Sequence, residues 1–335
     1  MNEPAVQVAP RDNPYFGLEY YDERFGAWFF GREAEGSKII TNLRAARLTL
    51  LHAESGVGKS SLLRAGVSWR MRRLADDMFA RRRPVRSIPV VFTSWKDDPS
   101  RELAECVGAA VKPYLADRPV PVLPAGRLDL AIEAASEAVN ASLLIMLDQF
   151  EEYFLYRARE PVPGQFADQL ARCINRTDLR ANFLIAIRED AYAGLGDLFK
   201  GRIPNVYGNY LHIDYLDRAS AEQAIREPLA VYNSQRDPAE RITIQDDLVQ
   251  AVLDEVRAFG SEAAARPDGP PGHANGDIRI ATPLLQLVME RVWNAERADG
   301  SHQLRLATLQ QLPAEPRAAA DGWEPQLCEP PGEES

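Results

Sequence analysis

Cysteine and histidine are scarce in this chain of 335 residues, which has three of the first and four of the second. Cys106, Cys173 and Cys328 lie far apart with no CxxC spacing. An odd count without a secretory apolar segment argues against a disulfide framework and for a reducing compartment, so the expected place is the cytoplasm. His52, His212, His273 and His302 share no ligand spacing with the cysteines, and no metal is expected beyond a nucleotide-associated Mg²⁺. No apolar run nears the roughly 20 residues that cross a bilayer, so no membrane span is expected. Positive charge is also short. With 39 Lys plus Arg against 49 Asp plus Glu the net charge is -10, which excludes bulk attraction to a polyanion. No solenoid or propeller period, no NKxD-like guanine signature and no LSGGQ-like transporter signature occurs.

What is present starts with a hydrophobic share of 45%, enough for a sizeable core in two domains or in one large domain with an appendage. The run 47–51 (RLTLL) has the content of a buried strand, and 60–69 can carry a helix. Between them stands His52 to Ser61, HAESGVGKSS, a phosphate-binding loop in the strand, loop, helix order the motif requires. Gly56 and Gly58 let successive N–H groups turn inward, where they and the positive end of the next helix cradle phosphate oxygens. Ala53, Ser55, Gly56, Val57, Gly58, Lys59, Ser60 and Ser61 are therefore the candidate nucleotide-binding residues. Lys59 would reach the β and γ phosphates and Ser60 would hold Mg²⁺. Ala53 stands where the usual pattern opens with glycine, and it is the smallest substitute that carries a Cβ.

Strand candidates 87–93 (SIPVVFT), 142–147 (SLLIML), 182–187 (NFLIAI) and 210–213 alternate with helical patterns, among them 99–111 and 128–139. Strands apolar throughout argue for a parallel sheet covered by helices on both faces, an α/β fold. Beyond Asp217 the segments 219–232, 245–259 and 283–296 keep helical spacing with no strand between them. The expected organisation is an N-terminal arm at 1–30, a nucleotide-binding core at 31–216 and a smaller all-helical domain at 217–312. A Gly- and Pro-rich insertion at 260–277 interrupts the last, and a proline-rich acidic tail, expected to be disordered, fills 313–335.

The second constellation is DQFEE, Asp148 to Glu152, directly after an apolar strand. Asp148 is placed to orient Mg²⁺ together with Ser60, and Glu151 or Glu152 to act as general base on a water. The two glutamates are not separable from sequence. An acidic helix start favoured by the helix dipole is the non-catalytic alternative. Gln149 follows Asp148 where many hydrolysing relatives of this superfamily carry Glu, which makes slow hydrolysis the expected regime. Arg188, at the end of the run 182–187, is a candidate for sensing and stabilising γ-phosphate charge. The extra strand between the loop and Asp148 resembles the additional-strand ATPase division, and adenine is favoured over guanine. The arginines at 70, 72, 73 and 81–83 could contact phosphates of a nucleic acid, but such a run is more often a solvated helix face, so nucleic acid is not an expected partner.

Together the segments FFGRE, HAESGVGKSSLLRAGV, LLIMLDQFEEYF, LIAIREDAYAGL, AIREPLA and PLLQLVMERVW resemble the novel STAND NTPases of bacteria, signal-transduction ATPases with numerous domains. The resemblance covers about 13–297. It implies ATP or ADP with Mg²⁺ as ligands, base-side positions at Gly31 and Arg32, and a proline, Pro228, closing on adenine or ribose from the helical part. It also implies a nucleotide-controlled switch: a compact ADP state, an ATP state that self-associates, and a sensor or effector protein as partner in signalling or defence. A non-hydrolysing nucleotide-dependent scaffold and a nucleic-acid-dependent ATPase are the alternatives. No sensor array and no amino-terminal effector is recognisable, which leaves two expectations: a truncated chain, or one that works with another polypeptide.

Overall fold

A computed structural model describes residues 11–312 except 117, 120, 122, 123, 125, 157–164 and 258–278. The first ten residues, the expected insertion at 260–277 and the expected tail at 313–335 lie outside the described residues.

The parallel sheet follows from five apolar runs: β1 (Leu48–Ala53), β2 (Ser87–Phe92), β3 (Ser142–Leu147), β4 (Ala181–Arg188) and β5 (Tyr210–His212). Their spatial order is β2-β3-β4-β1-β5, and each pairing is parallel. β4 therefore stands between the strand leading into the phosphate loop and the strand ending at Asp148, the arrangement expected of the additional-strand division. Because side chains alternate across a strand, Leu143, Ile145 and Leu147 enter one core and Leu144 and Met146 the other.

Helices cover both faces, as parallel strands require. On one side lie α1 (Glu33–Ala45), α2 (Lys59–Ser61) and its continuation, placing Ile39, Leu43, Leu62 and Val67 against Leu51, Leu184 and Ala186. Past Ser61 the helix widens into a π-type stretch, Leu62–Ser68, before α3 (Trp69–Ala80) resumes the ordinary pitch. On the other side α4 (Pro99–Val111), α5 (Leu128–Val139), α6 (Glu151–Tyr156), α7 (Gln165–Asn175) and α8 (Gly194–Leu198) bury Leu103, Val107, Ile132, Tyr153, Leu170 and Leu195 on the sheet. Asp98 caps α4 by accepting from Arg101 N at 3.1 Å, with Pro99 in the first turn, a start signal visible in the sequence.

The remaining part comprises α9 (Arg218–Ser234), α10 (Asp246–Glu255), α11 (Thr282–Ala298) and α12 (Leu306–Gln311). It is not purely helical. β6 (Thr243–Ile244) and β7 (Gln303–Leu304) pair in parallel, correcting the all-helical expectation. Two-residue strands are too short to leave a period-2 pattern, and their pairing joins segments about sixty residues apart, which no local signal encodes.

The arm, rich in aromatics, packs against the helical part. Tyr15, Phe16, Tyr21 and Trp28 are buried in one cluster with Ile225, Leu285, Met289 and Trp293 of α9 and α11. The polar ends are satisfied as well: Tyr15 Oη donates to the Ile225 carbonyl at 3.0 Å, and Tyr21 Oη to Gln286 Oε1 at 2.9 Å.

Candidate nucleotide site

The phosphate loop leaves β1 at Ala53 and enters α2 at Lys59. Gly56 and Gly58 adopt φ +78° and +97°, and a Cβ built on either meets nothing within 4 Å. The loop backbone thus borders open space, as a cradle for a phosphate group must. Lys59 Nζ donates to the carbonyls of Ala53 and Glu54, each at 2.9 Å. Its pKa is pushed down by burial, against the opposing charges of Glu151 and Asp148. Ser55 and Gly56 are exposed, Val57 is buried, and Ser60 and Ser61 are half-buried. Ser61 Oγ already accepts the Tyr21 backbone N–H at 3.2 Å, so the arm reaches the end of the loop.

Asp148 ends its strand only 1% exposed. Oδ1 accepts from Gln149 N at 3.0 Å, while Oδ2 has no hydrogen-bond partner and faces Arg64 Nε at 3.9 Å. Burial raises its pKa, and the Ser60 hydroxyl and the Arg64 guanidinium nearby act against that rise. A buried carboxylate oxygen left open beside a serine hydroxyl suits a hard, oxygen-seeking cation such as Mg²⁺. The residues present therefore fit Mg²⁺ and a polyphosphate. Ser60 and Asp148 would hold the ion, and the loop amides with Lys59 would hold phosphate oxygens. When bound, the metal would neutralise phosphate charge.

Glu151 and Glu152 separate clearly. Glu151 Oε2 accepts from Arg188 N at 3.2 Å, and Lys59 is among the charges acting on it. Glu152 feels Glu151 and Lys96 instead. Burial is the first cause of a raised pKa in both. Arg188 pairs in register with Ala53, but its guanidinium is held by Asp190 of its own loop, at 3.1 and 2.7 Å.

Gly31 and Arg32 lie where the arm meets both halves of the molecule. Arg32 is 3% exposed, and Nη2 donates to the Val57 carbonyl at 2.9 Å. Nη1 donates to the Asp214 carbonyl at 3.0 Å and to Glu35 Oε1 at 3.1 Å. Its donors thus face protein groups, making it a positioning residue for the loop. Gly31 has φ +85°, and a Cβ there would stand 2.3 Å from the Ser220 carbonyl oxygen of α9. Pro228 is buried two turns further along α9. A proline there denies the Ala224 carbonyl its helical donor.

Sequence reasoning missed two supporting residues. Arg64 lies four residues beyond Ser60, a helical spacing that could have drawn attention to it. Trp95 donates from Nε1 to the Asp148 carbonyl at 2.9 Å and packs edge-on against Phe150 with centroids 5.1 Å apart. Only its position after a strand of the same sheet hinted at this. The structure also brings His52 and His212 side by side, although they are distant in sequence.

Solved structures of the Aeropyrum pernix Orc2 protein share the fold of this chain. The Orc2 protein of Aeropyrum pernix in its ADPNP–ADP complexes gives a TM-score of 0.52 at 15% identity, covering 89% of this chain and 69% of that one. Its ADP form gives 0.50 at 14% identity, covering 89% and 70%. The Orc1 protein of the same organism in complex with DNA gives 0.47 at 15% identity and covers 84% of this chain, which spans 64% of that protein. No curated protein matches the sequence. The model of the Novel STAND NTPase 1 family matches residues 14–318. With its parallel sheet and phosphate loop, the chain is a P-loop NTPase fold that belongs to the Novel STAND NTPase 1 family.

Proposed function

We propose that this chain is an ATP-binding switch that hydrolyses ATP slowly and couples the state of its nucleotide to conformational change and self-association in bacterial signalling or defence. The observation that carries the reading is the junction of three parts on one loop. Arg32, just past the arm, holds Val57, the neighbouring Gly31 lies against Ser220 of α9, and Lys59 of the loop feels the charges of Glu151 and Asp148. A ligand seated on such a loop would alter the support of the helical part, residues 217–312, relative to the core, residues 31–216. In this reading Ser60 and Asp148 hold Mg²⁺, Glu151 is favoured over Glu152 as the base, and Arg188 leaves Asp190 to meet phosphate charge. Gly31, Arg32 and Pro228 shape the base side.

Gln149 favours a second reading, a nucleotide-dependent scaffold with negligible turnover. It occupies the position after Asp148 and is exposed with φ +55°. Neither reading requires nucleic acid as a partner. Arg70, Arg72 and Arg81 already meet Glu33, Glu23 and Asp77. A DNA titration at two salt concentrations tests the nucleic-acid alternative, since phosphate contacts weaken steeply with salt.

Calorimetric titration with Mg²⁺–ATP is the primary test. Lys59→Ala is expected to remove binding, and unchanged affinity would overturn the site. Phosphate release then separates the readings: slow release that Glu151→Gln and Asp148→Asn abolish supports the switch, and none above background in the parent supports the scaffold.

A further inference from the structure

We infer that His52, Glu189 and His212 form a site for a divalent transition metal of the zinc class, at the carboxyl edge of the sheet beside the phosphate loop. One ring nitrogen of each histidine and one carboxylate oxygen of Glu189 lie within 4.8 Å of one another. The parallel ladder creates this arrangement. β5 and β1 place His212 opposite His52, β4 and β1 place Ile187 opposite His52, and Glu189 follows two residues after Ile187. The imidazole centroids are 4.9 Å apart, and His212 Nε2 stands 3.9 Å from Glu189 Oε2.

An independent observation points to a ligand. His52 Nδ1 is buried with no hydrogen-bond partner. A buried ring nitrogen left unpaired costs free energy that a coordinate bond would offset.

The donor set fixes the class of ion. Two imidazole nitrogens and one carboxylate suit zinc, cobalt, nickel or copper, whereas Mg²⁺ and Ca²⁺ seek oxygen. Bonds of about 2.0 to 2.2 Å bring tetrahedral ligand atoms to about 3.4 Å from one another. The described cluster, with ligand atoms up to 4.8 Å apart, is wider than that by at most about 1.4 Å. Glu189 and His212 are exposed and can turn inward, while the rings of Tyr192 and Tyr210, with centroids 4.5 and 5.9 Å away, flank His52. Three protein ligands leave a further position open to water. The site is separate from the Ser60 and Asp148 pair, which offers oxygen alone, and does not depend on nucleotide being bound.

The test uses the full chain without nucleotide, titrated with Zn²⁺ by calorimetry and with Co²⁺ by visible absorption. One ion per chain is expected, with Co²⁺ bands of a low-coordinate nitrogen-containing site that excess Mg²⁺ does not remove. His212→Ala and Glu189→Gln are expected to weaken Zn²⁺ binding by about a hundredfold and tenfold. His302→Ala and the triple serine variant of Cys106, Cys173 and Cys328 retain it. Each variant is first checked for the parent's circular dichroism, and if His212→Ala fails to fold, Glu189→Gln and His212→Gln decide. Absence of saturable Zn²⁺ binding, or binding that these substitutions leave unchanged, overturns the site.

Discussion

Arg32 Nη2 donates to the carbonyl of Val57 at 2.9 Å, so a residue just past the arm holds the backbone of the phosphate loop. The same guanidinium reaches the Asp214 carbonyl and Glu35. Removing it frees the loop and leaves two carbonyls and a carboxylate without their donor. Arg32→Ala is expected to cost about 2–4 kcal/mol in denaturant unfolding. It should also weaken nucleotide binding at least tenfold in calorimetry. Arg32→Lys should recover little of either, because an ammonium lacks the planar fork that reaches carbonyls on different segments.

Two glycines with similar backbone angles should respond differently to alanine. Gly31, at φ +85°, has the Ser220 carbonyl 2.3 Å from its would-be Cβ, whereas Gly56, at φ +78°, has open space. Gly56→Ala meets only the left-handed backbone penalty, about 1–2 kcal/mol. Gly31→Ala adds a clash with backbone that cannot turn aside, and a total of about 3–4 kcal/mol is expected. Urea unfolding of the two variants side by side measures the difference, and equal losses would contradict the packing of the arm on α9.

Asp148 should trade stability for ligand binding. Burial raises its pKa in the folded chain, so the folded state holds a proton that the unfolded state releases sooner. The stability associated with the protonated carboxyl is present at low pH and is lost as pH rises through the folded pKa. Asp148→Asn is therefore expected to melt above the parent at pH 8, with the gap closing as pH falls towards 4. It should also lose the Mg²⁺ dependence of nucleotide binding. Thermal melts across that range, with and without Mg²⁺ and ATP, provide the check.

Glu296 carries the opposite sign. Fully buried in α11, it would be raised by burial, but hydrogen bonds from Arg305, Thr308 and Ser301 hold its pKa down at about 2. Arg305 Nη2 approaches Oε2 at 2.7 Å, and Arg305 N and Nε approach Oε1, each at 3.0 Å. Its contribution is complete above the unfolded value near 4.5 and is lost as pH falls towards 2. Glu296→Gln is expected to cost about 3 kcal/mol at pH 7, since the neighbouring donors lose a charged acceptor. That gap should narrow steadily in unfolding measured between pH 5 and pH 3.

Much of the core was legible because its signals are local. The apolar run 142–147 coincides with β3, and 99–111 and 128–139 coincide with α4 and α5. The loop was legible for a similar reason, since Gly56, Gly58, Lys59 and Ser60 belong to one short segment. The glutamates were not separable, because the distinction lies in what they face: Arg188 N and Lys59 for Glu151, Lys96 for Glu152. The π-type stretch 62–68 was likewise hidden, as its residues have ordinary helical spacing. The pairing of β6 with β7 was hidden by its length.

Local signals in the chain were enough for the order of strands and helices in the core, the phosphate loop and the acidic strand end, since backbone periodicity and glycine freedom act within a few residues. Long-range packing is what makes Arg32 serve Val57 and Asp214, turns Arg64 towards Asp148, and brings His52, Glu189 and His212 together. Each of those relationships joins residues whose separation along the chain carries no periodic signal. Apart from Arg64 and Asp148, set by the helix after the loop, their distances follow from strand register and from burial of the arm.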